Sequence, residues 1–187
     1  MVKRVFDFLF SAILLLLLAP IMLLVALMIR LDSPGPALFR QARIGRHNKP
    51  FTIYKFRSMR TDTPDVATDQ LQNPRAYVTR IGHFIRKTSI DELPQLFNIL
   101  RGEMSFVGPR PALYNQYELI KQRTVHGVDI LVPGLTGHAQ INGRDDISDD
   151  EKIKLDREYL KMAGFWLDIK IIFKTIYLAA ISKGVKG

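Results

Sequence analysis

The chain has 187 residues and a formal net charge of +9, from 27 Lys and Arg against 18 Asp and Glu. That length supports one domain with a real core and argues against a second of full size, while the charge suits polyanions: nucleic acid, anionic headgroups or nucleotide-linked phosphates. The sequence contains no Cys, which excludes thiolate catalysis, disulfides and thiolate metal sites together, and its four His (47, 83, 126, 138) show no ligand spacing.

From Phe8 to Ile29 the run FLFSAILLLLLAPIMLLVALMI carries no charge. At 1.5 Å per residue it makes about 33 Å of helix, enough for a hydrocarbon core of about 30 Å. It continues into MIRLDSPGP without the small-residue site of a cleaved signal, so we read a retained membrane helix. Pro20 lies near its middle and lacks the N–H that would bond the carbonyl of Leu16, which predicts a kink. Lys3 and Arg4 flank one end, and Arg30, Arg40, Arg43, Arg46 and Lys49 follow the other. Basic flanks prefer the cytoplasmic face, so a bent helix entering and leaving by one face satisfies both clusters. The alternative is an ordinary crossing helix that tolerates Pro20.

Residues 31 to 50 read as turns and short strands, FTIYKF (51 to 56) as one strand, and 61 to 78 as a loop. From Ser33 to Arg60 there are seven Lys or Arg and no acid. Most of these suit anionic headgroups, but Lys55 and Arg57 sit among aromatic residues that can fix a phosphate contact. Leu93, Leu96, Phe97 and Leu100 mark a helix face ended by Gly102. Its start has two registers: Ser89 with Glu92 as a capping box, or Asp91 as N-cap with Pro94 at N3. A helix over 113 to 122 follows, then a Gly-rich turn region at 129 to 144. A second capping box, Ser148 with Glu151, opens a helix carrying Asp156 and Tyr159. The tail from Phe165 joins an apolar surface to Lys170, Lys174, Lys183 and Lys186, with Trp166 and Tyr177 placed for headgroup level, and reads as an interfacial helix.

Asp91 and Glu92 are the chemical candidates. Neighbours on a helix point about 100° apart, so one can face substrate while the other orients the site or holds a metal. A hard cation between carboxylate and pyrophosphate lowers their repulsion, and a carboxylate can attack phosphorus to form an acyl phosphate. Taken alone, the pair also fits a plain helix start. Arg110 lies between Pro109 and Pro111, which restrict the backbone beside an anion contact. Gly134, Gly137 and Gly143 permit tight turns near a ligand, with Arg144 at the tip. Neither stretch has Walker A or dinucleotide spacing.

The sequence resembles the bacterial sugar transferases that start glycan assembly on a polyprenol phosphate, the monotopic phosphoglycosyl transferases. The matching pieces are KRVFDFLFS (3 to 11), the apolar run with Pro20, DSPGPALFRQARIG (32 to 45), YKFRSM (54 to 59) and RKTSIDELPQLFNILRGEMSFVGPRP (86 to 111). They continue as PGLTGHAQINGR (133 to 144), LDREY (155 to 159) and LDIKIIFKT (167 to 175). The resemblance implies an α+β, predominantly helical fold: a re-entrant membrane helix hairpin at 1–31, and a small cytoplasmic catalytic domain with interfacial amphipathic helices at 32–187. It implies transfer of sugar-1-phosphate from a UDP-sugar, N-acetylated in the short members, to undecaprenyl phosphate with release of UMP. Asp91 matches the nucleophile, Glu92 its dyad partner, and Mg2+ the usual metal, contacted by both. Lys55, Arg86, Arg110 and Arg144 fall in matching basic positions as phosphate contacts; Asp156 and Asp168 fall on family motifs, where they either bind substrate or hold local structure, and His138 stands at a position often apolar or aromatic in relatives, as a candidate contact to the sugar or nucleotide. Ala19 precedes Pro20 where many short members have Ser, removing a hydroxyl that would satisfy freed backbone at the bend. Membrane lipids are implied partners, glycosyltransferases act downstream, a homo-oligomer is compatible, and nucleic acid is not expected. The implied location is the cytoplasmic face of a bacterial inner membrane. Two rivals stand beside this reading: a membrane-bound metal-dependent phosphatase or pyrophosphatase, and a non-catalytic scaffold for anionic lipid.

Overall fold

A computed structural model of the chain describes residues 2–64, 73–143 and 147–181. The apolar run forms α1 (Val2–Asp32), one helix with Pro20 inside it. It is the one membrane-length helix among the described residues. One face of α1 packs on the rest of the protein along its whole length. Phe6, Leu14, Leu15 and Leu18 meet a core of Ile53, Leu96, Ile99, Met104, Phe106, Val107, Tyr159 and Ile171. Further along, Met22, Val25, Ala26 and Ile29 meet Phe56 and Ile85. The opposite face leaves Leu16, Leu17, Leu23 and Leu24 between 57% and 78% exposed. A core helix of a water-soluble protein would cover such residues, so this face is built for lipid.

After α1 come β1 (Leu38–Ile44), β2 (Pro50–Phe56), α2 (Pro74–Tyr77), α3 (Arg80–Lys87) and a 3-10 turn at Ile90–Gln95 that runs into α4 (Leu96–Arg101). The chain continues through β3 (Ser105–Val107), β4 (Ala112–Leu113), α5 (Tyr117–Val125), β5 (Gly134–Thr136), α6 (His138–Asn142), α7 (Asp149–Met162) and α8 (Phe165–Ala180). β1 and β2 pair as an antiparallel hairpin, Leu38 opposite Phe56 and Ile44 opposite Pro50, with β4 on the other edge of β1. β3 and β5 form a separate parallel pair. The soluble part is thus mixed α/β, with short strands between helices.

The expected strand falls within β2 and the expected helix at 113 to 122 on α5, displaced toward the C-terminus. Ser148 caps α7 as its pattern predicts, its hydroxyl accepting from the Glu151 N–H at 3.2 Å. The Ser89 box does not form. Ser89 is left-handed at φ 57° with no side-chain cap, and a 3-10 turn replaces the first helical turn. Gly102 does end α4, at φ 85°. Gly134 serves packing rather than a ligand turn: a Cβ there would stand 2.1 Å from the Gly108 nitrogen, where β3 and β5 converge.

Both ends of α1 are tied to the soluble domain by polar contacts. Arg4 donates to the carbonyls of Ile99 and Leu100 at the end of α4, each at 2.7 Å. Lys3 bonds the Val107 carbonyl at 2.9 Å and pairs with Asp168 of α8. At the other end, Arg57 donates to the carbonyls of Ser33 and Pro34, and Asp32 accepts from the Ile81 N–H of α3 at 3.1 Å. Arg4 thereby satisfies carbonyls that the end of α4 leaves without partners, and Arg57 holds the turn just past α1.

Candidate active site

Three elements converge on the acidic pair. The 3-10 turn carries Asp91 and Glu92, β2 carries Lys55, and the loop between β3 and β4 carries Arg110. Lys55 donates to Glu92 Oε1 at 2.7 Å, and an Arg110 nitrogen lies 3.5 Å from the same oxygen. Arg86, in the last turn of α3, acts on Asp91 by charge. Asp91 itself makes no side-chain hydrogen bond or ion pair among the described residues.

The two carboxyls are pushed apart in acidity. Burial, then the adjacent Glu92 charge, raise Asp91 to about 6 against the pull of Lys55, Arg86 and Arg110. Burial would raise Glu92 as well, but Lys55 and Arg110 outweigh it by charge and hydrogen bonding and hold Glu92 at about 2. One carboxylate is therefore committed to organising cations. The other remains open, which is the arrangement a nucleophile or a metal contact requires.

Behind this pair lies a buried frame. Asn98 of α4 is fully buried, its amide donating to the Thr52 carbonyl and to Glu103, both at 2.7 Å, while its oxygen accepts from the Tyr54 N–H. It thereby fixes β2, and so Lys55, against the helix that follows the acidic pair. Arg123 of α5 places two nitrogens on Asp156 Oδ2 at 3.0 and 2.7 Å and donates with a third to the Arg110 carbonyl at 2.8 Å. That contact fixes the backbone from which Arg110 reaches Glu92. Arg43 supports the same loop through the Pro111 carbonyl at 3.1 Å.

Of the residues singled out from sequence, Lys55, Arg86, Asp91, Glu92 and Arg110 come together. Asp156 does not reach this cluster as an open carboxylate, since buried Arg123 holds it. Asp168 is likewise engaged by Lys3 and by the Tyr159 hydroxyl, which donates at 2.6 Å. Both acids hold elements together, one beneath the Arg110 loop and one at the start of the membrane helix. Arg57, read from sequence as a phosphate contact, instead holds the Ser33 and Pro34 carbonyls in the turn after α1. His138 has Nε2 3.5 Å from Glu158, while its buried Nδ1 has no partner. Arg144 lies outside the described residues. Sequence reading missed Asn98 and Arg123. An Asn between Phe97 and Ile99 on an apolar helix face was the available signal for the first.

Fold and site together define a membrane-associated domain whose acidic pair is set among the cations Lys55, Arg86 and Arg110. The chain belongs to the bacterial sugar transferase family, whose model matches residues 1–182. It is 50% identical to an undecaprenyl-phosphate glucose phosphotransferase of Komagataeibacter xylinus, over 93% of this chain and 35% of that protein. It is 41% identical to the UDP-glucose:undecaprenyl-phosphate glucose-1-phosphate transferase of Escherichia coli K12, over 98% of this chain and 41% of that protein. An uncharacterized sugar transferase of Bacillus subtilis, EpsL, is 42% identical, with 98% of this chain matching 90% of its length. The chain thus spans 35% and 41% of the first two relatives, and nearly all of the third.

Proposed function

We propose that this protein transfers sugar-1-phosphate from a UDP-sugar to undecaprenyl phosphate, releasing UMP, at the cytoplasmic face of a bacterial membrane. The carrying observation is the open Asp91 carboxyl beside a Glu92 held through one oxygen by Lys55 and Arg110, with Arg86 close by. The names of the two longer relatives, both acting on undecaprenyl phosphate, support the acceptor. Those names bring glucose forward beside the N-acetylated sugars that resemblance favours.

In the first step an Asp91 oxygen attacks the sugar-bearing phosphorus. The bond from that phosphorus to the bridging oxygen breaks, and its electron pair leaves with UMP. In the second step an oxygen of the lipid phosphate attacks the same phosphorus, the acyl-phosphate bond breaks, and Asp91 returns as carboxylate. Lys55 and Arg110 hold Glu92 ionised and keep cationic charge where phosphate charge redistributes. A divalent ion such as Mg2+ fits the donor set, because Mg2+ takes one or two carboxylates and fills its shell with water and substrate phosphates. Asp91 would hold it; Glu92 has one oxygen engaged by two cations, leaving only the other. When bound, such an ion supplies charge neutralisation at the diphosphate.

The re-entrant reading of α1 is supported by its polar ties at both ends to one domain, and by Pro20 at mid-run. The exposed face of α8, with Trp166, Phe173, Ile176 and Tyr177 flanked by Lys170 and Lys174, supports a second, interfacial contact with the bilayer.

The decisive test omits the acceptor. Wild-type protein with a panel of labelled UDP-sugars and Mg2+ is expected to release one UMP per active site and retain labelled sugar-phosphate, and D91N to do neither. Full turnover by D91N, or steady release of inorganic phosphate without lipid, would overturn the reading.

A further inference from the structure

The eight residues of α3, RIGHFIRK, carry Arg80, Arg86 and Lys87 and no acid. At about 100° per residue they divide the helix into three faces. Ile81 and Ile85 pack against Val25 and Ile29 of the membrane helix, and Gly82 lies over the Ser58 carbonyl. Arg86 lies on a second face, near enough to act on Asp91 by charge. The third face presents Arg80, His83, Phe84 and Lys87, all exposed, with Phe84 54% accessible. Arg80, His83 and Lys87 make no side-chain hydrogen bond or ion pair among the described residues.

The position of α3 gives that face a meaning. Its first turn is bonded to Asp32, the last residue of α1, so it begins where the membrane helix ends. Its last turn carries Arg86, so it finishes beside the acidic pair. Eight residues cover about 12 Å, a short path from the bilayer surface to Asp91. Simple adhesion to anionic lipid would need no such path, and α8 already offers an aromatic face with flanking Lys for that purpose.

We infer that the outer face of α3 is the docking surface for the lipid acceptor: Arg80 and Lys87 hold the phosphate monoester of a polyprenol while Phe84 lies against its chain, delivering the phosphate toward Arg86 and Asp91. A lipid monophosphate is a compact, doubly charged group on an apolar stem, which matches two cations without partners among the described residues around an exposed ring. This inference rests on the proposed transfer reaction, and its test separates the two.

The full chain in neutral detergent is compared with R80Q/K87Q, F84A and the conservative R80K/K87R. UMP release without acceptor is expected to be unchanged in all. Discharge of the loaded protein by polyprenol phosphate is expected to show an acceptor KM raised at least tenfold in R80Q/K87Q and severalfold in F84A, with kcat nearly constant and R80K/K87R near wild type. Binding of a short-chain polyprenol phosphate by native mass spectrometry should follow the same order, and reads docking even without turnover. An unchanged acceptor KM and binding would overturn the inference. So would a defect confined to UMP release, which would assign the face to the nucleotide sugar, or one confined to partition onto anionic vesicles, which would assign it to bulk lipid. Absence of UMP release from wild type would instead count against the transfer reaction alone.

Discussion

A carboxylate attacks phosphorus only when ionised and unencumbered, and Asp91 and Glu92 divide those demands. With Asp91 raised to about 6 by burial and by Glu92, the first half-reaction is expected to fall roughly tenfold per unit below about pH 6. A pH series of single-turnover UMP release measures it, and a flat profile down to pH 4.5 would contradict it. The stability sign is opposite to that of an ion-paired acid. The folded state holds the Asp91 proton more tightly than an unfolded chain, whose value is near 3.9, so ionisation costs stability above about pH 6 and the cost fades as pH falls toward 4. Glu92, held low, stabilises the fold above about 4.5 and loses that contribution as pH falls through about 2. D91N is accordingly expected to melt higher at pH 7.5, by roughly 3 °C, while failing to turn over. At this scale the acidic pair and its cations were legible because their motif is long. Arg123 was not, since an Arg in YELIKQRTV reads as solvent-facing until α7 covers it with Asp156. R123M should destabilise by about 3–5 kcal/mol, because it leaves a buried carboxylate unpaired. Pairing it with D156L should recover much of that stability but not kcat, since the Arg110 carbonyl still lacks its donor. Recovery of both would reduce Arg123 to a structural role.

Elements show where local sequence decides structure and where tertiary contact overrides it. Ser148 and Ser89 carry the same capping pattern, yet only Ser148 forms it. Ser148 opens a 14-residue helix and adopts the extended conformation that a capping residue needs. Ser89 lies between the Thr88 C-cap of α3 and the next element, where it takes the left-handed conformation, and the segment tightens into a 3-10 turn ending at Pro94 and Gln95. α3 escaped sequence reading for the converse reason. Its periodicity is only two turns long, and its Thr79 cap, which accepts from Gly82, lacks the acidic third residue of a capping box. The element that joins these pieces is α4, through Asn98. Its three hydrogen bonds to β2 and Glu103 contribute about 1 kcal/mol each, so N98A is expected to lose about 3 kcal/mol in detergent unfolding and to loosen Lys55 from Glu92. N98D tests the geometry separately: a carboxylate cannot donate to the Thr52 carbonyl, and equal activity in N98D would show that the tie does not position Lys55.

For the whole molecule the governing fact is that one domain receives both ends of an apolar helix. The contour of 31 residues is about 46 Å. A straight crossing would carry Lys3 and Arg4 to the far side of the bilayer, away from Asp168, Val107, Ile99 and Leu100, stripping the α4 carbonyls of donors and leaving Asp168 without its cation. The other end would remain fixed by Arg57 and Asp32. Hydropathy alone could not separate these cases, because crossing and re-entrant helices share a composition, and Pro20 marks only where a bend is cheapest. The absence of native Cys makes a direct measurement clean. V2C and D150C, each as a single-cysteine variant, are expected to react with a membrane-impermeant maleimide in inverted vesicles, and neither to react in intact cells. Reaction of V2C in intact cells together with D150C in inverted vesicles would mean that the helix crosses, and that the ties of Lys3 and Arg4 do not exist in the membrane.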